Sequence, residues 1–128
     1  MTFVDTNVFM YAVGGPHPLR GEARDSLFEA VEGSLPLVTS AEVLQELLHA
    51  YLPVGRGATL DAALTLVNGC VDEVWSVDAE DVYLARALDG EHRGLGARDL
   101  LHLACCHRRG VDRIMTFDRH LQAAAGSA

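Results

Sequence analysis

Short apolar runs alternate with longer stretches of helical periodicity along the whole chain, and this alternation restricts the fold more than any other feature. Thr2–Asp5, Leu37–Thr39, Glu73–Val77 and Arg113–Thr116 read as strands. Between them lie segments with helical spacing. Asn7–Val13 is ended by the Gly14-Gly15-Pro16 breaker, and His17–Glu32 follows. Ser40 is a helix N-cap for a segment that stops near Leu52-Pro53. Ala58–Asn68 is helical with Gly69 as its cap, Asp78 opens a helix running to about Leu88, and Asp99–Arg108 is stopped by Gly110. A helical turn over Arg119–Ala125 closes the chain, and the last residues are expected to fray. Consecutive strands separated by crossovers this long pair in parallel, and right-handed crossovers put helices on both faces of the sheet.

Composition bounds the rest. A chain of 128 residues, with 49% apolar and 22% charged residues, is expected to form one domain over 1–128. There is no N-terminal basic stretch followed by an apolar run, and no apolar run long enough to span a membrane. Three cysteines, Cys70, Cys105 and Cys106, show no Cys-x-x-Cys spacing and read as buried reduced thiols. The expectation is a soluble, cytoplasmic protein. The net charge of −8 opposes nucleic-acid binding, but it is unevenly spread. Residues 1–97 hold 5 Arg against 15 Asp and Glu, and residues 98–128 hold 5 Arg against 3 acids. The C-terminal quarter is thus the part suited to phosphate contact. Lys is absent; all ten basic residues are Arg.

Four carboxylates stand at the edges of these elements. Asp5 ends the first apolar run, Asp99 opens a helix, and Asp118 follows the last strand. In parallel α/β sheets, sites gather at the carboxyl ends of strands, so topology brings these three to one rim. Glu46 comes from the flank of the helix after Ser40. Val43, Leu44, Leu47, Leu48 and Tyr51 form that helix's apolar stripe, and Glu46 lies about 135° from its centre at roughly 100° per residue. Glu42 lies almost opposite the stripe and is the substitute for Glu46. A pocket of carboxylates with no cationic partner demands a neutraliser. Hard divalent cations such as Mg2+ or Mn2+ suit oxygen-rich sites, which points to metal-assisted phosphodiester cleavage.

Each acid also has a plain structural reading. Asp5 and Asp118 fit helix N-caps, Asp99 suits the positive end of a helix dipole, and Glu46 fits a solvated helix face. Joint placement carries the functional reading. The histidines carry less: His102 and His107 flank Cys105 and Cys106 on one helix, whereas a zinc site needs a closed ligand set, commonly from more than one segment. There is no Gly-x-Ser-x-Gly elbow and no glycine-rich loop followed by Lys.

Taken in order, the four acidic segments resemble the PIN-domain nucleases, and among them the VapC-type toxins of toxin–antitoxin pairs. Val4-Asp5-Thr6-Asn7-Val8 is similar to the family's first motif, and Ser40–Leu48 resembles the helix carrying its Glu, matched best by Glu46. Ala97–Ala104 resembles the third motif around Asp99, and Met115–Leu121 the last around Asp118. Arg98 stands beside Asp99 where the family commonly has a small or polar residue. The resemblance implies an α/β fold, a three-layer α/β/α sandwich around a short parallel sheet. It implies a Mg2+- or Mn2+-dependent endoribonuclease that hydrolyses RNA with metal-activated water. A homodimer and a small cognate antitoxin are implied as well. On this reading Asp5, Glu46, Asp99 and Asp118 are the catalytic and metal-binding residues. Thr6, Asn7 and Thr116 orient them, and Arg98 and Arg119 contact substrate phosphate.

Two other classes stand beside this one. A metal-dependent phosphatase using phosphoaspartate wants a second Asp two positions after the first, where Asn7 stands; a metal-dependent DNA nuclease shares the same chemistry. A non-catalytic module binding RNA or a protein partner has no need to preserve four mutually repelling acids.

Overall fold

The computed structural model describes residues 1–126. Its elements run β1 (Thr2–Val4), α1 (Thr6–Val13), α2 (Arg20–Glu32), β2 (Leu37–Ser40), α3 (Ala41–Tyr51) and α4 (Gly57–Cys70). They continue with β3 (Glu73–Trp75), α5 (Ala79–Leu88), α6 (Ala97–Arg108), β4 (Arg113–Met115) and α7 (Arg119–Gly126). The strands form one parallel sheet in the order β3-β2-β1-β4. Thr2 pairs with Leu37 on one side and Arg113 on the other, and Val38 pairs with Glu73. β1 therefore lies inside the sheet, and Phe3 and Val4 are fully buried, as a central parallel strand requires.

The helices pack in two groups, α1 to α4 with one another and α5 to α7 with one another, giving the α/β sandwich expected. Phe3 stacks on Trp75 with centroids 5.7 Å apart, tying the central strand to the edge strand β3. Thr39 donates its hydroxyl to the Val4 carbonyl at 2.9 Å, fastening β2 to the end of β1. Two backbone details aim the site. Ser40 caps α3 by accepting from Val43 N, and α6 ends with Gly110 at φ 68°, where Val111 N donates to Cys106 O and Gly110 N to His107 O.

Several element edges differ from the sequence expectation. α2 begins at Arg20 instead of His17, because His17 is used in a turn, accepting from Leu19 N on its ring and from Arg20 N on its carbonyl. Gly69 does not cap α4; the helix runs on to Cys70, since a helical conformation costs an exposed glycine only about 1 kcal/mol. Leu48 is 39% exposed, so the buried stripe of α3 is Val43, Leu47 and Tyr51. That narrower stripe is centred closer to Glu46, about 100° away by the same geometry. The fraying expected at the chain end falls on residues 127 and 128, outside the described residues. Among the described residues no helix is long and apolar enough to cross a membrane, and the three cysteines are free thiols.

Asp81 holds α5 against α6. It is fully buried, accepts from Asp78 N at 2.8 Å, and receives Arg108 Nη1 at 2.8 Å and Arg109 Nη1 at 3.0 Å. Arg109 also lies 4.9 Å above the Trp75 ring and donates to the Ser76 carbonyl. Burial raises the Asp81 pKa, but the two guanidiniums and the backbone donor outweigh it and bring the carboxyl down to about 2. Because the folded pKa is depressed, this stability is present above the ordinary carboxylate range and is lost as pH falls towards 2. The shift corresponds to about 2 kcal/mol. We predict that Asp81→Asn is less stable than wild type by about that much at pH 7. In urea unfolding the difference should shrink as pH falls from 4 to 2; a gap that does not vary with pH would refute the charge assignment.

Candidate metal centre

The chain's own backbone explains why carboxylates gather at one rim. Asp5 leaves β1 in an extended conformation and starts α1, so its Oδ1 caps the helix by accepting from Thr6 N at 2.8 Å. Asp118 does the same for α7, its Oδ1 accepting from His120 N and Leu121 N at 2.9 and 3.0 Å. The capping readings are therefore correct and leave an outer carboxylate oxygen on each residue. Asp99 lies in the first turn of α6. Asp5, Glu46, Asp99 and Asp118 all line one cleft of about 560 Å³, with Thr6, Asn7, His49 and Arg98 beside them. Glu42 is not among the lining residues, so Glu46 is the acid that α3 presents.

Thr116 joins the pieces. Its hydroxyl donates to Asp5 Oδ2 at 2.7 Å and accepts from Asp118 N at 3.0 Å and Asn7 Nδ2 at 3.2 Å. Asn7 Oδ1 in turn accepts from Phe117 N at 3.2 Å. Thr6 donates its hydroxyl to Glu46 Oε2. Thr6 thus ties Glu46, midway along α3, to the start of α1, while Thr116 and Asn7 tie Asp5 to the Asp118 backbone across the ends of β1 and β4. Arg98 is exposed on the cleft edge; Arg119 is exposed at the start of α7 and does not line the cleft.

His102 is the group sequence reasoning passed over. It is fully buried one helical turn after Asp99, with its ring 5.4 Å from that of Phe3. Its Nε2 lies 2.8 Å from Glu46 Oε1 and 3.6 Å from Asp5 Oδ1. The 2.8 Å approach is an ion-pair distance, but the ring N–H is not aligned with the oxygen, so neither Nε2 nor Oε1 gains a hydrogen bond there. The i, i+3 spacing from Asp99 was the available signal, since it puts both side chains on one face. Asp5, Glu46 and His102 offer three donor atoms within 4.8 Å of one another, a set able to hold a metal ion.

The electrostatics follow from crowding. Burial raises the Asp5 pKa, with His102 and the Thr116 and Thr6 donors opposing it. Burial also raises that of Asp99, reinforced by the charges of Asp5, Asp118 and Glu46. Glu46 goes the other way: burial pushes it up, but His102 and the Thr6 hydroxyl hold it below the ordinary value. His102 is driven down by burial and up, by more, by Glu46, Asp5 and Asp99.

Comparison with known proteins identifies the family. Residues 2–127 match the PIN domain family model. The chain is 64% identical over 124 residues to ribonuclease VapC23 of Mycobacterium tuberculosis, covering 97% of this chain and 98% of the relative. The crystal structure of M. tuberculosis VapC20, a sarcin–ricin loop cleaving toxin, superposes with a TM-score of 0.76 at 24% identity, covering 97% and 95% of the two chains. A toxin–antitoxin complex from Klebsiella pneumoniae shares the fold with a TM-score of 0.66 at 18% identity, covering 92% and 87%. The chain belongs to the PIN-domain family, in its VapC-type branch.

Asp99 and Asp5 are more readily protonated in the fold than free in water, so their charged forms destabilise it at neutral pH. Asp99→Asn is expected to raise the melting temperature in EDTA. Added Mn2+ should raise the wild-type value more than the variant's. An unchanged or lowered melting temperature in EDTA would argue against crowding at Asp99.

Proposed function

We propose that this chain is a divalent-metal-dependent endoribonuclease, a single domain over residues 1–128, and the toxin of a cytoplasmic toxin–antitoxin pair. The observation that carries the reading is the convergence of Asp5, Glu46, Asp99 and Asp118 on one cleft. Four acids cannot all remain charged there without a cation, and oxygen donors favour Mg2+ or Mn2+. The four carboxylates would hold the ion directly or through water. When bound, it supplies Lewis acidity toward a phosphodiester and eases deprotonation of water near neutral pH.

The protein's own groups do the rest. Thr116 and Thr6 fix the Asp5 and Glu46 carboxylates, so no reorganisation is needed when substrate arrives. Asn7 holds the β4 end against α1 and keeps Asp118 at the rim. Arg98 at the cleft edge is placed to meet a phosphate, and Arg119 adds positive charge at the start of α7. The likeness to VapC23, a ribonuclease, supports RNA as the substrate. The fold shared with the Klebsiella complex supports an antitoxin partner, and so does an apolar groove of about 750 Å³ between α1, α2 and α4 whose Phe28 is 64% exposed. Val82 and Tyr83, exposed on α5, suit the contact of a homodimer.

Purified protein freed of any partner should cleave a mixed RNA pool with Mg2+ or Mn2+ and not with EDTA. Asp99→Asn should lose about 100-fold or more while keeping its fold, and Thr116→Val about 10- to 100-fold. Cleavage by Asp99→Asn at the wild-type rate would rule out the site, and metal-independent cleavage would rule out the mechanism.

A further inference from the structure

Behind two of the cleft's carboxylates, Asp5 and Glu46, lies a buried imidazole nitrogen. We propose that His102 Nε2 is itself a ligand of the catalytic cation. With Asp5 and Glu46 it makes a mixed nitrogen–oxygen set that favours Mn2+ and other transition cations over Mg2+. The inference rests on the metal-dependent reading above and adds a ligand that a four-acid site lacks.

Three observations carry it. First, His102 is fully buried and neither ring nitrogen has a hydrogen-bond partner among the described residues. A buried polar group left in that condition is destabilising, whereas an apolar side chain of similar size would carry no such cost. Second, the donor spacings are those of ligands around one ion. Two atoms each about 2.1 Å from a metal are roughly 3.0 Å apart at right angles and about 3.4 Å apart at a tetrahedral angle. Nε2 lies 2.8 Å from Glu46 Oε1 and 3.6 Å from Asp5 Oδ1. Third, Glu46 Oε1 is close to Nε2 yet off its axis. A counter-ion would point its N–H at the oxygen. Two ligands at right angles about a common ion instead lie roughly 45° off each other's line to it.

The selectivity follows from donor chemistry. Imidazole suits zinc, iron, nickel and copper, carboxylate suits magnesium, calcium and manganese, and affinity for divalent ions at nitrogen donors rises along the transition series from manganese. Phe3, against the ring at a 42° tilt, holds the imidazole plane and keeps water from its outer edge.

The test is pulsed electron paramagnetic resonance on the Mn2+-loaded full chain, which detects a directly bound nitrogen without any substrate. Wild type should show ¹⁴N coupling. His102→Leu should lose it and weaken Mn2+ and Co2+ binding by at least about tenfold, with a smaller change for Mg2+. His49→Ala should keep the coupling, because His49 lines the cleft but lies outside the proposed donor set. Bound Mn2+ without nitrogen coupling in wild type overturns the proposal, whether or not the Leu variant folds. Coupling that survives in His102→Leu, or that is lost in His49→Ala, overturns it as well. Those outcomes leave the nuclease reading standing; failure to bind Mn2+ at all ends both.

Discussion

Repulsion among carboxylates is the constraint around which this molecule is arranged. Asp5, Glu46, Asp99 and Asp118 share one cleft at the carboxyl end of a four-stranded sheet. Left alone, that crowd would push the ends of β1 and β4, the start of α6 and the middle of α3 apart. The fold opposes it with short polar contacts: two helix N-caps, the Thr116 hydroxyl shared among Asp5, Asn7 and the Asp118 backbone, the Thr6 bond to Glu46, and a buried imidazole between Glu46 and Asp5. None of these removes the charge. They fix where it sits, which is what a preorganised cation site requires.

Charge distribution takes on a different meaning once the side chains are placed. The balance in residues 98–128 suggested a basic face, with five Arg against three acids. Two of those five, Arg108 and Arg109, are engaged by Asp81, Glu80 and the Trp75 ring. Arg98, Arg113 and Arg119 remain for outside contact. Attraction of an anionic polymer by an acidic protein then depends on very few guanidiniums, and on the proposed reading neutralisation of the cleft by cations would serve substrate binding as well as chemistry.

What could be read in the sequence was whatever depends on one residue and its immediate neighbours. The strand–helix order, the Ser40 and Asp78 helix starts and the Gly110 stop follow from local propensity, the parallel sheet follows from the length of the connections between strands, and the structure bears them out. Gly69 misled because glycine near a helix end usually terminates it, yet an exposed glycine can stay helical at modest cost. Leu48 misled because periodicity marks a face without saying how wide the burial is; a narrower stripe turned Glu46 towards the core edge. Thr6, Asn7 and Thr116 were legible only because they adjoin the acids in sequence.

His102 was illegible for a physical reason. Its neighbours Leu100, Leu103, Ala104 and Cys105 are core residues, and a histidine in such a run looks like one more core side chain. Its meaning depends on Glu46, which is 56 residues away and reaches it from another helix. A pattern along the chain cannot distinguish an imidazole buried for packing from one buried because carboxylates surround it. The distinction lies in partner geometry: a packed histidine satisfies its nitrogens, whereas His102 leaves both without a hydrogen bond while facing two acids. An unsatisfied buried donor set beside crowded carboxylates is hard to account for as a device for stability, and easy to account for as one half of a binding site.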